Sequence, residues 1–471
     1  MTTLKITRTE PEGKLQLEEQ PPPMAPWGAE AELEVVGRRH PRLEAFDKVT
    51  GRAQYTSDVR LPRQLYAKVL RSPHPHARVA AIDIGAAEAL PGVHAVLCAD
   101  NVPQIGWYDG SFLFDRTVRL VGDEVAAVAA ESEEIAEDAL RRIRVTYEPL
   151  PHVTAMEAAA APGAPRVREA GNRAGEPKTY TRGDPEAGLR QADVVIDRTY
   201  TTQVALHNAL EPHGCTASWD GGMLTLWSST QSIFTVRQQV AQALGMPEHR
   251  VRVIKQHMGG GFGAKQIAWK QDVIAALLAR ATGRPVQLML DREAENLAVG
   301  NRPTSRQHVR LGARRDGTLT AIDVEIEQAI GAYQTGGEAS NVSGMYQTLY
   351  RCANVRTVQQ PLYTNTGPAV AFRAPGHVEA AWALEQAMDE LARALDLDPI
   401  ELRLRNYAET EQTEGKPYTL PEGLRLCYDR VREAFGWDRR DRAPVADAAE
   451  AAAQAAAAAP AGSKRRGLRR P

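Results

Sequence analysis

Cysteine is scarce in this sequence, and what there is stands alone. Cys98, Cys215, Cys352 and Cys427 are the only four in 471 residues, and no two form a C-x-x-C pair. That scatter suggests neither a zinc site nor a disulfide framework, and it lacks the grouped thiolates an iron–sulfur cluster needs. The thiols read as packing residues of a protein kept in a reducing compartment. An excess of one charge is lacking too. With 57 Lys and Arg against 59 Asp and Glu, the formal net charge is −2, which offers no global attraction to nucleic acid or to an anionic membrane. No apolar run approaches the ~20 residues of a membrane-spanning helix, and Met1 to Arg8 has no signal-peptide core. A cytoplasmic location is expected. Histidine pairs at metal-binding spacing are also missing: His207 and His213 are not at i, i+4, and His74 and His76 flank prolines.

What is present is an ordinary globular composition, 43% hydrophobic and 25% charged, in a chain long enough for two or more domains. Residues 1–40, rich in Pro and Glu and including Pro21-Pro22-Pro23, read as a flexible lead-in. Residues 41–155 alternate short strands and helical stretches, with strands expected at Leu65 to Leu70, Val125 to Ala129 and Ile143 to Tyr147. Between the last two, Ser132 can cap a helix that carries Glu133 and Glu134 in its first turn and Arg141 and Arg142 in its last, matching the helix dipole at both ends. Residues 156–176 form an Ala/Gly/Pro/Arg linker, and 177–440 a second, larger α+β domain. In it, Leu384, Ala387, Met388, Leu391 and Leu395 make a buried helical stripe, and Asp398-Pro399 reads as the cap and first residue of another helix. In the tail, 441–471, the stretch Ala446 to Pro460 is mostly alanine, and Lys464-Arg465-Arg466 follows. So short a basic end reads as a solvated tail.

The most informative stretch is Gln256-His257-Met258-Gly259-Gly260-Gly261-Phe262-Gly263-Ala264-Lys265. A strand is expected before it, at Arg250 to Ile254, and a helix after it, through Ile267, Ala268, Val273, Ile274, Leu277 and Leu278 to Gly283. Glycines let backbone N–H groups approach a ligand, and a helix N-terminus adds unpaired donors, so the turn suits an anion such as pyrophosphate. A tight turn with no ligand is the plain alternative. A standard P-loop is excluded, because Ala264 precedes Lys265 and Gln266 follows it. A dinucleotide loop remains open: Gly259-x-Gly261-x-x-Ala264 fits the pattern, and a second strand, Val286 to Leu290, ends on Asp291, where a ribose-binding acid is wanted. That reading is an NAD-dependent oxidoreductase.

Read as Q-x-x-G-G-G-F-G-x-K, the same stretch resembles the pterin-contacting loop of the molybdenum hydroxylases, the xanthine dehydrogenase and aldehyde oxidase family. Thr230-Gln231 resembles the family's T-Q element, His207 to His213 its H-x-x-M/L-E-P stretch, and Ala371-Phe372-Arg373-Ala374-Pro375-Gly376 its A-F-R-x-x-G turn. Asp47 to Gly51, Ser72 to Ala77 and Val121-Gly122-Asp123 look like its a/b hammerhead domain. The motifs stand in the family's order from about Val36 to Trp437. The implied fold is α+β, a hammerhead domain followed by the first molybdopterin-binding domain. The family's K-R-R-G-[IL]-G segment, which opens its second molybdopterin-binding domain, is matched only by Lys464 to Leu468, and that domain is absent here.

The resemblance implies hydroxylation of an aldehyde or N-heterocycle with oxygen from water, at molybdenum held by molybdopterin in its plain or cytosine dinucleotide form. Gln231 would hydrogen-bond an oxygen ligand of the metal, and Gly259, Gly260, Gly261, Phe262 and Gly263 would lie against the cofactor. Arg373 would stand by metal and substrate as the catalytic cation. Gln231, Phe262 and Arg373 would thus surround molybdenum without ligating it. Gln266 lies where purine-using members have Glu, and Asn341 falls roughly at the place of a substrate-orienting arginine, which favours an aldehyde over a purine. Taken singly, Arg373 reads as a turn residue and Gln231 as an exposed strand end. Glu211, followed by proline, reads as a binder of backbone amides rather than a base. The family's glutamate base belongs to the missing domain. A companion chain carrying that domain is therefore expected, with iron–sulfur (2Fe-2S) and FAD subunits to take the electrons. The other reading is a truncated, inactive fragment.

Overall fold

The computed structural model describes residues 3–9, 14–20, 31–335, 341–418 and 420–440. The chain divides into two units, residues 1–54 and 55–471. In the first, strands Thr3–Thr9 and Lys14–Gln20 pair antiparallel, Ile6 opposite Leu17, and a short helix follows at Ala45–Val49. These strands lie within the segment expected to be a flexible lead-in. Leu4 and Ile6, and Leu15 and Leu17, alternate with polar residues at the strand period. The alanine-rich segment 441–471, with Lys464-Arg465-Arg466, lies outside the described residues.

The strands of the second unit that position the site are, in chain order, β1 Leu65–Arg71, β2 Val93–Cys98, β3 Glu124–Ala130, β4 Lys178–Arg182, β5 Val194–Thr202, β6 Gly214–Asp220, β7 Met223–Ser228, β8 Val251–Ile254, β9 Val286–Met289, β10 Ser305–Ala313, β11 Leu319–Gly331 and β12 Val355–Tyr363. The helices are α1 Glu133–Arg142, α2 Ile233–Ala243, α3 Lys270–Thr282, α4 Arg292–Ala298, α5 Val342–Thr348, α6 His377–Ala394 and α7 Pro399–Arg405.

Seven strands form one sheet in the order β8-β7-β6-β9-β1-β3-β2, and five form another in the order β4-β12-β11-β10-β5. The first sheet joins the two expected domains. β9 runs parallel to β1, Val286 opposite Leu65 and Leu288 opposite Ala67, so strands from before residue 131 continue a sheet begun by strands after residue 213. Every residue of β3, Glu-Val-Ala-Ala-Val-Ala-Ala, is buried, as expected of a central strand covered on both faces. Alanines at 126, 127, 129 and 130 bring neighbours close on either side.

Helix α3 lies against β6 and β9 with its first ten residues buried, from Lys270 to Ala279. Helix α6 turns Ala380, Ala383, Leu384, Ala387, Met388 and Leu391 onto β5 and β10, the stripe its spacing predicts. The Ser132 cap on α1 is present, its Oγ accepting from Ile135 N at 3.3 Å, and Asp398 caps α7 through Ile400 N at 2.9 Å.

Polar groups also seal the joint between the sheet's two halves. Lys270 Nζ lies 3.1 Å from Glu124, which Arg71 meets at 2.8 Å, and the Tyr333 hydroxyl donates to Asp123 at 2.7 Å. All four side chains that Lys270 and Tyr333 contribute to or contact here are buried to nine-tenths or more at their atoms, so the paired charges replace solvation lost on folding. The expected linker is part of the same packing. A helix forms at Met156–Ala160, Asn172 Nδ2 donates to Ala159 O and Pro165 O at 3.1 and 2.9 Å, and Arg173 bridges Leu362 on β12. Among the described residues no helix is long and apolar enough to cross a membrane.

Candidate cofactor-binding site

The glycine loop leaves β8 as expected, but it does not open a helix. Helix α3 starts only at Lys270, and its N-terminus is buried and closed: Asp272 accepts from Trp269 N at 2.9 Å and from Ser228 Oγ at 2.8 Å. The helix therefore offers no donors to an anion. The nicotinamide reading fails on the same geometry. A dinucleotide fold needs the strands flanking the glycine turn side by side, whereas β7 and β6 separate β8 from β9. Asp291 caps α4 by accepting from Ala294 N at 2.8 Å.

What the glycines permit is close packing of the loop on its own protein. A Cβ on Gly259 would stand 2.6 Å from Glu211 Cβ, one on Gly261 2.6 Å from Gln231 Oε1, and one on Gly263 2.2 Å from Ala371 O. Glu211, Gln231 and Ala371 come from three of the motifs singled out in the sequence, so the loop is where those motifs meet. Gly260, at φ +103, faces the rim of the Phe262 ring.

Three non-glycine residues in these segments hold left-handed backbone: Asn208 at φ 44, Phe262 at φ 53 and Ala374 at φ 60. Each such residue costs on the order of 1–2 kcal/mol and persists only where its surroundings enforce it. Strain thus collects where the motifs converge.

Gln231 fixes the top of the loop. Its Oε1 accepts from Gly263 N at 2.8 Å and from Lys265 N at 3.3 Å. With two backbone donors on the oxygen, the carboxamide can take only one orientation, and its Nε2 amino group is presented outward with no partner among the described residues. The N–H groups of Gly260, Gly261 and Phe262 likewise meet no acceptor among the described residues.

Glu211 fixes the bottom. Its carboxylate accepts from Gly259 N at 2.8 Å, Thr56 N at 3.1 Å and Lys255 Nζ at 2.6 Å. Burial alone would raise its pKa, but the Lys255 and Gly259 hydrogen bonds prevail and hold it below the usual carboxylate range. It is a binder of donors, as the sequence suggests. Lys265 is wholly buried beside it, and desolvation pushes its ammonium down to about 8 against the pull of Glu211 and Glu295. Behind the loop, His213 Nδ1 meets Glu295 Oε1 at 2.9 Å, and the Trp269 indole N–H donates to Ala264 O at 2.9 Å.

The third wall is the Phe372 to Gly376 turn. Arg373 N donates to Phe262 O at 2.7 Å, tying turn to loop, and the His207 ring, its pKa lowered by burial, lies tilted with its centroid 4.2 Å from that of Phe372 and its Nε2 2.9 Å from Ala371 O. The Arg373 side chain is exposed, and its guanidinium makes no hydrogen bond or ion pair among the described residues. The turn rests on Arg302, which donates to Phe372 O and Arg373 O at 2.9 and 2.7 Å and pairs with Glu379 at 2.7 Å.

Sequence reasoning singled out neither Arg302 nor Glu379, nor Lys255 and Glu295. Each supports a motif from a distant point in the chain, and only the fold brings them together. Gln266 is exposed at the end of the loop. Asn341 caps α5: its Oδ1 accepts from Gly344 N at 3.1 Å and Ser343 Oγ at 3.0 Å, so the carbonyl of the carboxamide proposed for substrate is taken up by the helix. Its backbone abuts Gly376, where an added Cβ would lie 2.4 Å from Asn341 C.

Among the described residues, the Gln231 amino group, the N–H groups of Gly260, Gly261 and Phe262 and the Arg373 guanidinium are left without a protein acceptor. Donors of this kind suit an oxygen-rich, anionic group.

Residues 50–151 match the aldehyde oxidase and xanthine dehydrogenase a/b hammerhead domain, and residues 167–407 match the molybdopterin cofactor-binding domain. Fold and site thus define the cofactor-binding part of an oxidoreductase, and the chain belongs to the large molybdopterin subunits of the xanthine dehydrogenase and aldehyde oxidase family. It is 33% identical to a probable hypoxanthine oxidase of Escherichia coli (strain K12), over 86% of this chain and 49% of that one. It is 32% identical to the nicotinate dehydrogenase large molybdopterin subunit of Eubacterium barkeri, over 87% of this chain and 99% of that one. The crystal structure of quinoline 2-oxidoreductase from Pseudomonas putida 86 superposes with a TM-score of 0.78 at 30% identity, over 88% of this chain and 55% of that one. The chain therefore spans about half the length of two of these proteins and nearly all of the third.

Proposed function

We propose that this chain holds the molybdenum–molybdopterin cofactor, in its plain or cytosine dinucleotide form, against the Gly259 to Gly263 loop. In that reading it is one half of the molybdenum site of a cytoplasmic hydroxylase acting on an aldehyde or N-heterocycle. The observation that carries the reading is the carboxamide of Gln231, whose oxygen is held by two N–H groups of the loop while its amino group and the N–H groups of Gly260, Gly261 and Phe262 have no partner among the described residues. When bound, the cofactor supplies the two-electron redox centre and the activated oxygen.

The chain's own residues have simpler tasks. Gln231 and the loop N–H groups would bind and orient oxygen atoms of that group, and Phe262 would help to hold it. Arg373, whose guanidinium has no partner among the described residues, would stabilise negative charge on the bound group. Gln266, a neutral carboxamide at the loop's end, accommodates a substrate without a charged partner. Asn341 is proposed to approach substrate only through its Nδ2, its oxygen serving the helix.

A companion polypeptide completing the site is supported by the Eubacterium barkeri relative, named a large molybdopterin subunit and matched over 99% of its length. It is supported also by exposed apolar side chains on the site's segments, Leu210 at 89%, Phe234 at 67% and Trp382 at 51%, a surface that favours a protein cover. Iron–sulfur (2Fe-2S) and FAD subunits are proposed as electron acceptors.

The test is molybdenum per chain, by elemental mass spectrometry, on the tagged protein with its partners from its own cells. A value near one supports the reading, and Gln231→Ala should lower it. Absence of molybdenum from cells whose other molybdoenzymes are loaded would overturn the reading in favour of an inactive fragment.

A further inference from the structure

We propose that Lys265 is a positioning residue: it sets the orientation of Gln231 and so aims the amino group that meets the cofactor. This rests on the reading of Gln231 given above.

A lysine at the end of a glycine loop suggests a phosphate ligand, but this one points the other way. Its side chain is 0% exposed. Nζ donates to the main-chain carbonyls of Glu211 at 2.6 Å and Pro212 at 3.4 Å, and lies 3.8 Å from the Glu211 carboxylate. The ammonium is thus spent beneath the loop. Above it, the main chain of the same residue grips the strand end that carries Gln231. Lys265 O accepts from Gln231 N at 2.7 Å and from Thr230 Oγ1 at 3.0 Å, while Lys265 N donates to Gln231 Oε1.

One residue therefore joins the 211–212 segment, the glycine loop and Gln231. The carboxamide of Gln231 is oriented by two N–H groups, those of Gly263 and Lys265, and their height above the 211–212 segment is set by the reach of the Lys265 side chain. A hydrocarbon of the same length would fill the volume but bind neither carbonyl. The loop would then be free to lift, and the carboxamide free to turn.

The experiment uses the complex from its own cells and reads the rate of molybdenum and pterin loss on dialysis for Gln231→Ala, Lys265→Met and the double variant. Both single variants should lose cofactor about tenfold to a hundredfold faster than the parent. The double variant should be no faster than the worse single, because the two residues act through one carboxamide. Losses that multiply would show that Lys265 supports the fold in general, and would overturn the proposal. So would a Lys265→Met protein that keeps its cofactor like the parent. Full retention by Gln231→Ala would instead remove the reading of the site, and the proposal with it. If Lys265→Met does not accumulate as folded protein, Thr230→Val replaces it. That variant deletes the hydroxyl that donates to Lys265 O and accepts from Ser232 N at 3.0 Å, and its effect must again fail to multiply with that of Gln231→Ala.

Discussion

The guanidinium of Arg302 and the carboxylate of Glu379 meet at 2.7 Å in the interior, 77 residues apart in sequence. The pair is the foundation of the Phe372 to Gly376 turn, because the same guanidinium also binds Phe372 O and Arg373 O. Lysine could keep the ion pair but not the fork. Arg302→Lys should lower the unfolding free energy by about 1–3 kcal/mol, and Arg302→Met, which strands a buried carboxylate, by about 3–5 kcal/mol. Urea unfolding of the three proteins checks the order; equal loss in both variants would deny the carbonyl contacts any weight.

Glycine at 263 is required by contact as well as by φ. Gly263→Ala brings Cβ against the Ala371 carbonyl at 2.2 Å with the backbone at φ +115, so the loop and the turn must part. The expected result is loss of molybdenum from the complex and a lower Tm. Gly283, the C-cap of α3, sits at φ +61 with nothing within 4 Å; Gly283→Ala should cost only about 1 kcal/mol and leave the metal in place.

Strain at Ala374 can be relieved without removing a functional side chain. At φ 60, Ala374→Gly should stabilise the protein by up to about 1 kcal/mol, read as a higher urea midpoint. A lower midpoint would mean that the turn's rigidity outweighs its strain.

The buried Lys265 gives a signed pH dependence. Its pKa falls from 10.5 to about 8 in the folded chain. Between those values the unfolded chain holds a proton that the folded one has released, so this group's contribution to stability rises with pH from 8 to 10.5 and is unfavourable below that window. The difference in unfolding free energy between parent and Lys265→Met should therefore grow with pH across the window, by up to about 3 kcal/mol. A difference that stays flat from pH 7.5 to 10 would contradict it.

How much of this was legible in advance depended on whether the signal was local. Ser132, Asp398 and the Leu384 stripe are statements about neighbours in sequence, and α1, α7 and α6 match them. The glycine loop was legible as a site, but the helix after it was expected too early. Ile267 and Ala268 continue the apolar pattern while belonging to the loop's anchor, where Ala268 N donates to Gln239 at 2.7 Å. The nicotinamide alternative survived because strand order is invisible in a single sequence; β6 and β7 intervene by hydrogen bonding, not by spacing. Arg302 and Glu379 carried no signal at all, since an arginine before Pro303 and a glutamate in a first helical turn look like surface residues until the fold buries them together.

The parallel seam between β1 and β9 also sets a rule for anyone cutting or grafting this protein. The match to two family domains invites a break between them, near residues 152–166, yet that break would pass beside a sheet that both sides own. A piece ending there would keep β1 with one edge of backbone donors and acceptors bare, an invitation to pair with the next copy. The two regions should be inherited, swapped and expressed as one piece, whatever the motifs on either side suggest.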